Sequence, residues 1–173
     1  MINALISNIH TTAPGVIISY SGGRAVVQSK IKFRIDEETL ADSPPIAEVP
    51  VVFMSGSGGQ ASVSVPIKPG DGVLLCFSER AIDDFLYGGQ STDPRQFDLT
   101  DAMAIPGLYP AAVGGAAAYP NDVCLYHGGT TLRVQNGGNV IVSGGDLVVD
   151  GISFKGHVHG GVTPGSGNTS TPH

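Results

Sequence analysis

The sequence has little of what membrane-spanning and disulfide-rich proteins need. Its 173 residues include only two cysteines, Cys76 and Cys124. Two cysteines make no disulfide framework, and they fit synthesis in a reducing cytoplasm. No apolar stretch approaches the roughly 20 residues of a transmembrane helix, and the first residues lack the basic flank and unbroken apolar core of a signal peptide. We therefore expect assembly in the cytoplasm without a signal peptide.

Positive charge and aromatic side chains are also scarce. The formal net charge is -6, with 9 Lys and Arg residues against 15 Asp and Glu residues. This balance argues against phosphate neutralisation as the main task and against electrostatic docking on anionic lipid. There is no tryptophan, and aromatic residues make up 6% of the chain, which is poor material for stacking nucleic-acid bases.

What the sequence does contain is turn residues between short runs of Val and Ile. It has 25 glycines and 12 prolines, a composition that predicts an all-β protein. Five strands are predicted at residues 15–20, 24–35, 46–55, 61–67 and 72–78, and they suit a small Greek-key barrel such as the OB-fold. A short helix is predicted over residues 79–86, where Ile82, Phe85 and Leu86 recur at helical spacing.

Differences in residue composition divide the chain into three parts. Residues 1–90 are predicted to form an OB-fold head, and residues 91–121, rich in Pro, Gly and Ala, a connector. Residues 122–173 form a third part, in which glycines separate five short segments at 123–127, 131–135, 139–143, 146–150 and 152–159. Strand alternation places Leu132 with Val134, Val140 with Val142, and Leu147 with Val149 on common faces.

This third part is too small to close a core by itself. Each segment offers about two apolar side chains, and chains below about 40 residues usually need a metal, disulfides or oligomerisation. Three copies wound about one axis would join the apolar faces and pair the strand edges. The alternative is a single-chain meander packed on the barrel.

His157 and His159 are the candidate metal ligands. In an extended strand, residues i and i+2 point the same way, so the two imidazoles should lie on one side of the chain. Two ligands are too few for a closed zinc site, whereas three chains would supply six imidazoles for an octahedral transition metal; ligand type alone does not select the metal. The alternative is a solvated pair in a Gly-rich loop. His10, His127 and His173 have no partner at ligand spacing.

Several stretches of the sequence are similar to one known family, the central baseplate spike (membrane-piercing) proteins of P2-like and Mu-like contractile phage tails and of R-type bacteriocins. Residues 65–75 and 78–85 resemble the OB-fold region of that family, and residues 96–102 and 105–108 resemble its next segment. Residues 150–160, with the Gly/Ser/Thr/Pro tail that follows, resemble its apex.

The resemblance implies a homotrimer with an N-terminal OB-fold barrel, followed by an intertwined triple-stranded β-helix with a metal-capped tip. It implies that His157 and His159 of three chains hold one iron ion. It also implies that the tip can hold further ions, and Asp146 and Asp150 are the candidates for calcium. Strand parity places these two aspartates opposite to the Val149 face, which favours exposure to solvent instead. The resemblance further implies assembly in the bacterial cytoplasm, a mature place at the tip of the baseplate, contact with hub and tail-tube proteins, and mechanical puncture of the target outer membrane. Catalysis and nucleic-acid binding are not expected.

Two other functions fit parts of the sequence. A nucleic-acid-binding OB-fold is one, because Lys30, Lys32 and Arg34 alternate along one predicted strand, although acidic residues 36–38 follow at once. A histidine-based metalloenzyme is the other, but it needs an open coordination position. Six protein ligands would leave none, and Glu37 and Glu38 lie far from the histidines in the sequence.

Overall fold

The structure of the protein, a computed structural model, describes residues 9–36, 38–90, 92–110, 119–161 and 165. The chain divides into two compact units, Met1–Gly115 and Ala116–His173. Among the described residues of the first unit, the strands are β1 (Thr12–Ser21), β2 (Arg24–Ser29), β3 (Lys32–Arg34), β4 (Leu40–Asp42), β5 (Ile46–Pro50), β6 (Met54–Gly56), β7 (Ala61–Val63), β8 (Gly72–Phe77) and β9 (Ala102–Pro106). A short helix, α1 (Asp83–Tyr87), and two 3₁₀ turns, Ser57–Gly59 and Leu99–Asp101, complete the unit.

Five of these strands form the main sheet, in the order β5-β2-β1-β8-β9. The two edge strands meet, because Val51, directly after β5, forms a parallel bridge with Ala104 of β9. The backbone N–H of Val52 also donates to the Ala104 carbonyl at 2.8 Å. The sheet therefore curls into a partly open five-stranded barrel, and this strand order with one parallel contact is that of the OB-fold. The predicted fold class, an all-β protein with an N-terminal OB-fold barrel, is confirmed.

Alternate residues of the barrel strands build the core. In β8, Val73, Leu75 and Phe77 are buried, while Leu74 and Cys76 are half-buried. Burying one such side chain contributes about 1.5–3 kcal/mol. The buried apolar residues are Ala13, Ile17, Ala25, Val27, Ile46, Val49, Val73, Leu75, Phe77, Ala102 and Ala104.

The fifth barrel strand is not the one that the sequence predicts. Residues 61–67 were expected in the barrel, but β7 pairs only with β6, as a separate hairpin. The fifth strand is β9, which lies in the predicted connector at 91–121 and pairs with β8. Its sequence, Ala-Met-Ala-Ile-Pro, has weak strand propensity, and the pairing with β8 overrides that propensity.

Two predicted strands are each interrupted. The prediction at 24–35 corresponds to β2 and β3, which pair in different sheets, and the prediction at 46–55 corresponds to β5 and β6. The predicted helix exists but is shorter, as α1. Phe85, one of the residues whose spacing predicted the helix, is 91% exposed. None of the helices in the described part of the chain is long and apolar enough to cross a lipid bilayer.

The second unit contains two small antiparallel sheets. One has the order β10 (Val123–His127), β11 (Thr130–Val134) and β12 (Val140–Ser143); the other pairs β13 (Val148–Val149) with β14 (Ile152–Ser153). All five strands fall at the predicted segments. Asp150 and Gly151 have φ of 49° and 83°, as a two-residue hairpin loop with a type I′ turn requires. The last strand ends at Ser153, well short of the predicted 159.

Candidate metal centre

The second unit has no buried residue among those described between 119 and 161. In its three-stranded sheet, Val123 lies opposite Val134 and Leu125 opposite Leu132, and β12 continues both rows. Directly opposed residues share a face of the sheet. Five of the six side chains on this face are exposed, which leaves it uncovered. This apolar face consists of Val123, Leu125, Leu132, Val134, Val140 and Val142.

The opposite face of the same sheet has polar contacts within the chain. The guanidinium of Arg133 lies 3.1 Å from the Asp122 carboxylate and 4.1 Å from the centre of the Tyr119 ring. The hydroxyls of Thr131 and Ser143 are 2.6 Å apart. The sheet is therefore two-sided, with polar groups partnered on one face and apolar groups unpartnered on the other.

Beyond β14 the chain makes a tight turn that leads into the candidate ligands. The Ser153 hydroxyl accepts a hydrogen bond from the Gly156 N–H at 2.8 Å. The Ser153 carbonyl accepts one from the His157 N–H at 3.0 Å. These bonds explain why the predicted strand stops at Ser153, since the chain closes on itself instead of extending. The backbone of His157 is thereby tied to the end of the hairpin.

The imidazole of His157 has a defined orientation. Its Nδ1 lies 2.9 Å from the Phe154 carbonyl oxygen. A carbonyl only accepts, so Nδ1 must carry the proton, and the Nε2 lone pair is left for another partner. Histidine ligands of metal ions in proteins usually have their second ring nitrogen bound in this way.

His159 lies beside His157 although neither residue is in a strand. The two ring centres are 5.1 Å apart, and the rings are nearly perpendicular. Both side chains are exposed. The proximity that the i, i+2 spacing predicts is thus present, although the extended strand from which it was argued is not. The separation and the free Nε2 of His157 fit two ligands of one ion.

One chain supplies only two of the six ligands that the sequence analysis expects. Within the part of the chain that the structure describes, no three His, Cys, Asp or Glu side chains gather as a metal site.

The other candidates lie elsewhere. His10 packs 5.6 Å from the Phe77 ring in the first unit, and His127 ends β10. His173 and Glu37 lie outside the described residues. Lys32, part of the proposed basic strand, pairs with Asp42 at 3.4 Å.

Sequence reasoning missed the residues that support His157. Asp146 was considered only for calcium, but its carboxylate accepts hydrogen bonds from the Ser153 hydroxyl and from the Lys155 N–H. The Ser153 hydroxyl, more than the Lys155 N–H, holds the pKa of the Asp146 carboxyl below its usual value. Ser153 was not singled out at all, because a serine between apolar residues signals nothing until the turn is seen.

Comparison with known families accounts for both ends of the chain. The family described as the phage protein Gp138 N-terminal domain matches residues 13–107, more than half of the chain, a range that begins in β1 and ends one residue after β9. The GpV Apex motif matches residues 151–172, which include both candidate histidines. A search of curated proteins found no significant match.

An OB-fold barrel combined with an apex motif defines the class of phage baseplate spike proteins, which are structural components of the virion. The chain belongs to the phage protein Gp138 N-terminal domain family. The resemblance found in the sequence is thereby confirmed. The all-β fold is confirmed as well, and the apex motif fits the tip of a β-helix.

Proposed function

We propose that three copies of this chain assemble into a rigid spike that punctures the outer membrane of a target bacterium when the tail contracts. The observation that carries the proposal is the apolar face of the second unit, which no described residue of that unit covers. A two- or three-stranded sheet without a covered face is marginal in water at best. Exposed apolar surface of this kind marks a site of association.

Three copies are favoured over two by the ligands at the apex. Three chains bring six imidazoles to one axis, a number that suits an octahedral transition metal, whereas two chains bring four. An intertwined triple-stranded β-helix would put the apolar faces at the centre and leave no strand edge open. The polar face, with Arg133 and Asp122, would then face outward.

An iron ion is the expected occupant of the apex, and His157 and His159 of each chain are the residues that would hold it. The ion would act as a crosslink between three chain ends that have no buried residue among those described. Structural metal sites contribute on the order of 10 kcal/mol to folding. The orientation of His157, with Nδ1 bound and Nε2 open, supports this assignment. Calcium near Asp146 or Asp150 remains a prediction.

The mechanical role follows from this construction. A spike needs stiffness along its axis and a point that does not fray, and it needs no catalytic pocket. The barrel, which has its own core, is the part suited to hold the hub or tail-tube proteins of the baseplate. The force would come from contraction of the tail, so the low positive charge of the chain is no obstacle to crossing a membrane.

The test uses contractile tails that carry either the wild-type spike or the double variant His157→Ala, His159→Ala. We expect tails with the variant to release a periplasmic reporter enzyme from target cells at least several-fold more slowly, because the tip frays without its metal. Spike copies per particle, measured by mass spectrometry, control for assembly. Equal release by particles with equal spike content would refute the role of the capped tip in puncture.

A further inference from the structure

Asp146 and Ser153 form a network at the open end of the β13–β14 hairpin. Oδ2 of Asp146 accepts a hydrogen bond from the Ser153 hydroxyl, and Oδ1 accepts one from the Lys155 N–H at 3.1 Å. The Lys155 ammonium donates to the carbonyl of Gly145, the residue before Asp146. The segment before β13 is thus tied to the segment after β14 by side chains as well as by the strand ladder.

The network continues from Ser153 to the metal-ligand candidate. The same hydroxyl that donates to Asp146 accepts from Gly156 at 2.8 Å, and the Ser153 carbonyl accepts from the His157 N–H. The turn held in this way places the Phe154 carbonyl 2.9 Å from Nδ1 of His157. These hydrogen bonds follow one another along the chain from Asp146 to His157, and the last one places the proton on Nδ1 of the imidazole.

We infer that Asp146 and Ser153 are positioning residues that orient the His157 imidazole for metal binding, an inference that rests on the proposed function. Neither residue would touch the ion. They would hold the turn in its binding conformation before the metal arrives, so that less of the binding free energy is spent on ordering an exposed chain end. Residues that orient metal ligands typically change metal affinity by 10–100-fold when they are replaced.

The charge of Asp146 fits this role. Its carboxyl has a lowered pKa, chiefly because of the Ser153 hydroxyl, so it stays ionised at neutral pH and remains an acceptor for both donors. A charged acceptor makes a stronger hydrogen bond than a neutral one.

The first experiment measures iron retention by the full-length protein. Wild type, Asp146→Asn, Ser153→Ala and Ser153→Thr are loaded with ferrous iron and challenged with a coloured ferrous chelator at neutral pH. We expect Asp146→Asn and Ser153→Ala each to bind iron about 10–100-fold more weakly. Ser153→Thr keeps the hydroxyl and should restore most of the affinity. Ser143→Ala, which removes a serine hydroxyl from the three-stranded sheet of the same unit, is the matched control and should stay within about 2-fold of wild type.

The two changes should also be non-additive. If Asp146 acts through Ser153, the double variant should lose little more affinity than either single variant, as residues in one network do in a double-mutant cycle. Wild-type affinity in both single variants, or equal losses in Ser143→Ala, would overturn the inference. If added calcium changed the iron affinity of wild type but not that of Asp146→Asn, Asp146 would itself bind the cation, and the inference would be wrong.

The second experiment needs no metal. The tautomer of His157 is read from the ¹⁵N chemical shifts of its ring in the metal-free protein. We expect protonated Nδ1 in wild type and a mixture of tautomers in Asp146→Asn and Ser153→Ala. If wild type binds no iron but shows the Nδ1 tautomer, the proposed metal tip fails while the positioning of His157 stands. If the tautomer is the same in all variants, the positioning itself is refuted.

Discussion

Gly72 shows how closely the barrel backbone packs at one residue. A Cβ placed on Gly72 would lie 1.9 Å from the carbonyl oxygen of Leu108, and the Gly107 N–H donates to the Gly72 carbonyl at 3.0 Å. The clash would be with backbone, which cannot rotate away as a side chain can. The residue is therefore required by the close approach of the segment after β9, rather than by an unusual φ.

We expect Gly72→Ala to destabilise the barrel by about 3 kcal/mol, since overpacking costs about 1–3 kcal/mol and backbone yields less readily than side chains. Gly56→Ala is the matched control, because a Cβ there meets nothing within 4 Å and its φ of -161° is ordinary extended backbone. The full-length protein is pulse-labelled by hydrogen exchange across a urea series, and the measurement is the urea midpoint at which peptides from β8 lose protection. Similar midpoints for the two variants would contradict the packing described for Gly72.

The strands illustrate what could be predicted at the level of single elements. The alternation of Val73, Leu75 and Phe77 identified β8 from the sequence, because a half-buried strand has a period of two. β9 was missed because Ala102 and Ala104 are small enough to pack in the barrel but carry no strand signal of their own. The turn after Ser153 was missed because it involves contacts between residues that are distant in the sequence. The Ser153 hydroxyl donates to Asp146, seven residues away.

Two adjacent residues of β10 can test whether the apolar face of the three-stranded sheet is the interface between copies of the chain. Leu125 and Tyr126 are 61% and 62% exposed in one chain, but they lie on opposite faces of the sheet. We expect Leu125→Asp to weaken self-association at least about 100-fold, because burying unpaired carboxylates costs several kcal/mol. Tyr126→Asp should have little effect. Sedimentation velocity across a concentration series measures both, and equal effects of the two changes would exclude this face as the interface.

At the scale of the whole molecule, the two units differ in what stabilises them. All of the buried residues that the structure describes lie in the first unit, so the barrel can fold around its own core. The described residues of the second unit have hydrogen bonds, turns and an ion pair between Arg133 and Asp122, but no buried core, and their apolar face is uncovered. The sequence predicted this contrast, because five glycine-separated segments with about two apolar side chains each cannot exclude water alone. The sequence also predicted that the imidazoles of His157 and His159 lie close together, but not which residues orient them.

The most direct test of the account is to measure the mass of the purified full-length protein by sedimentation equilibrium and its metal content by elemental analysis on the same sample. We expect three chains per particle and one iron atom per three chains. A folded single chain with an ordered second unit and no bound metal would contradict it.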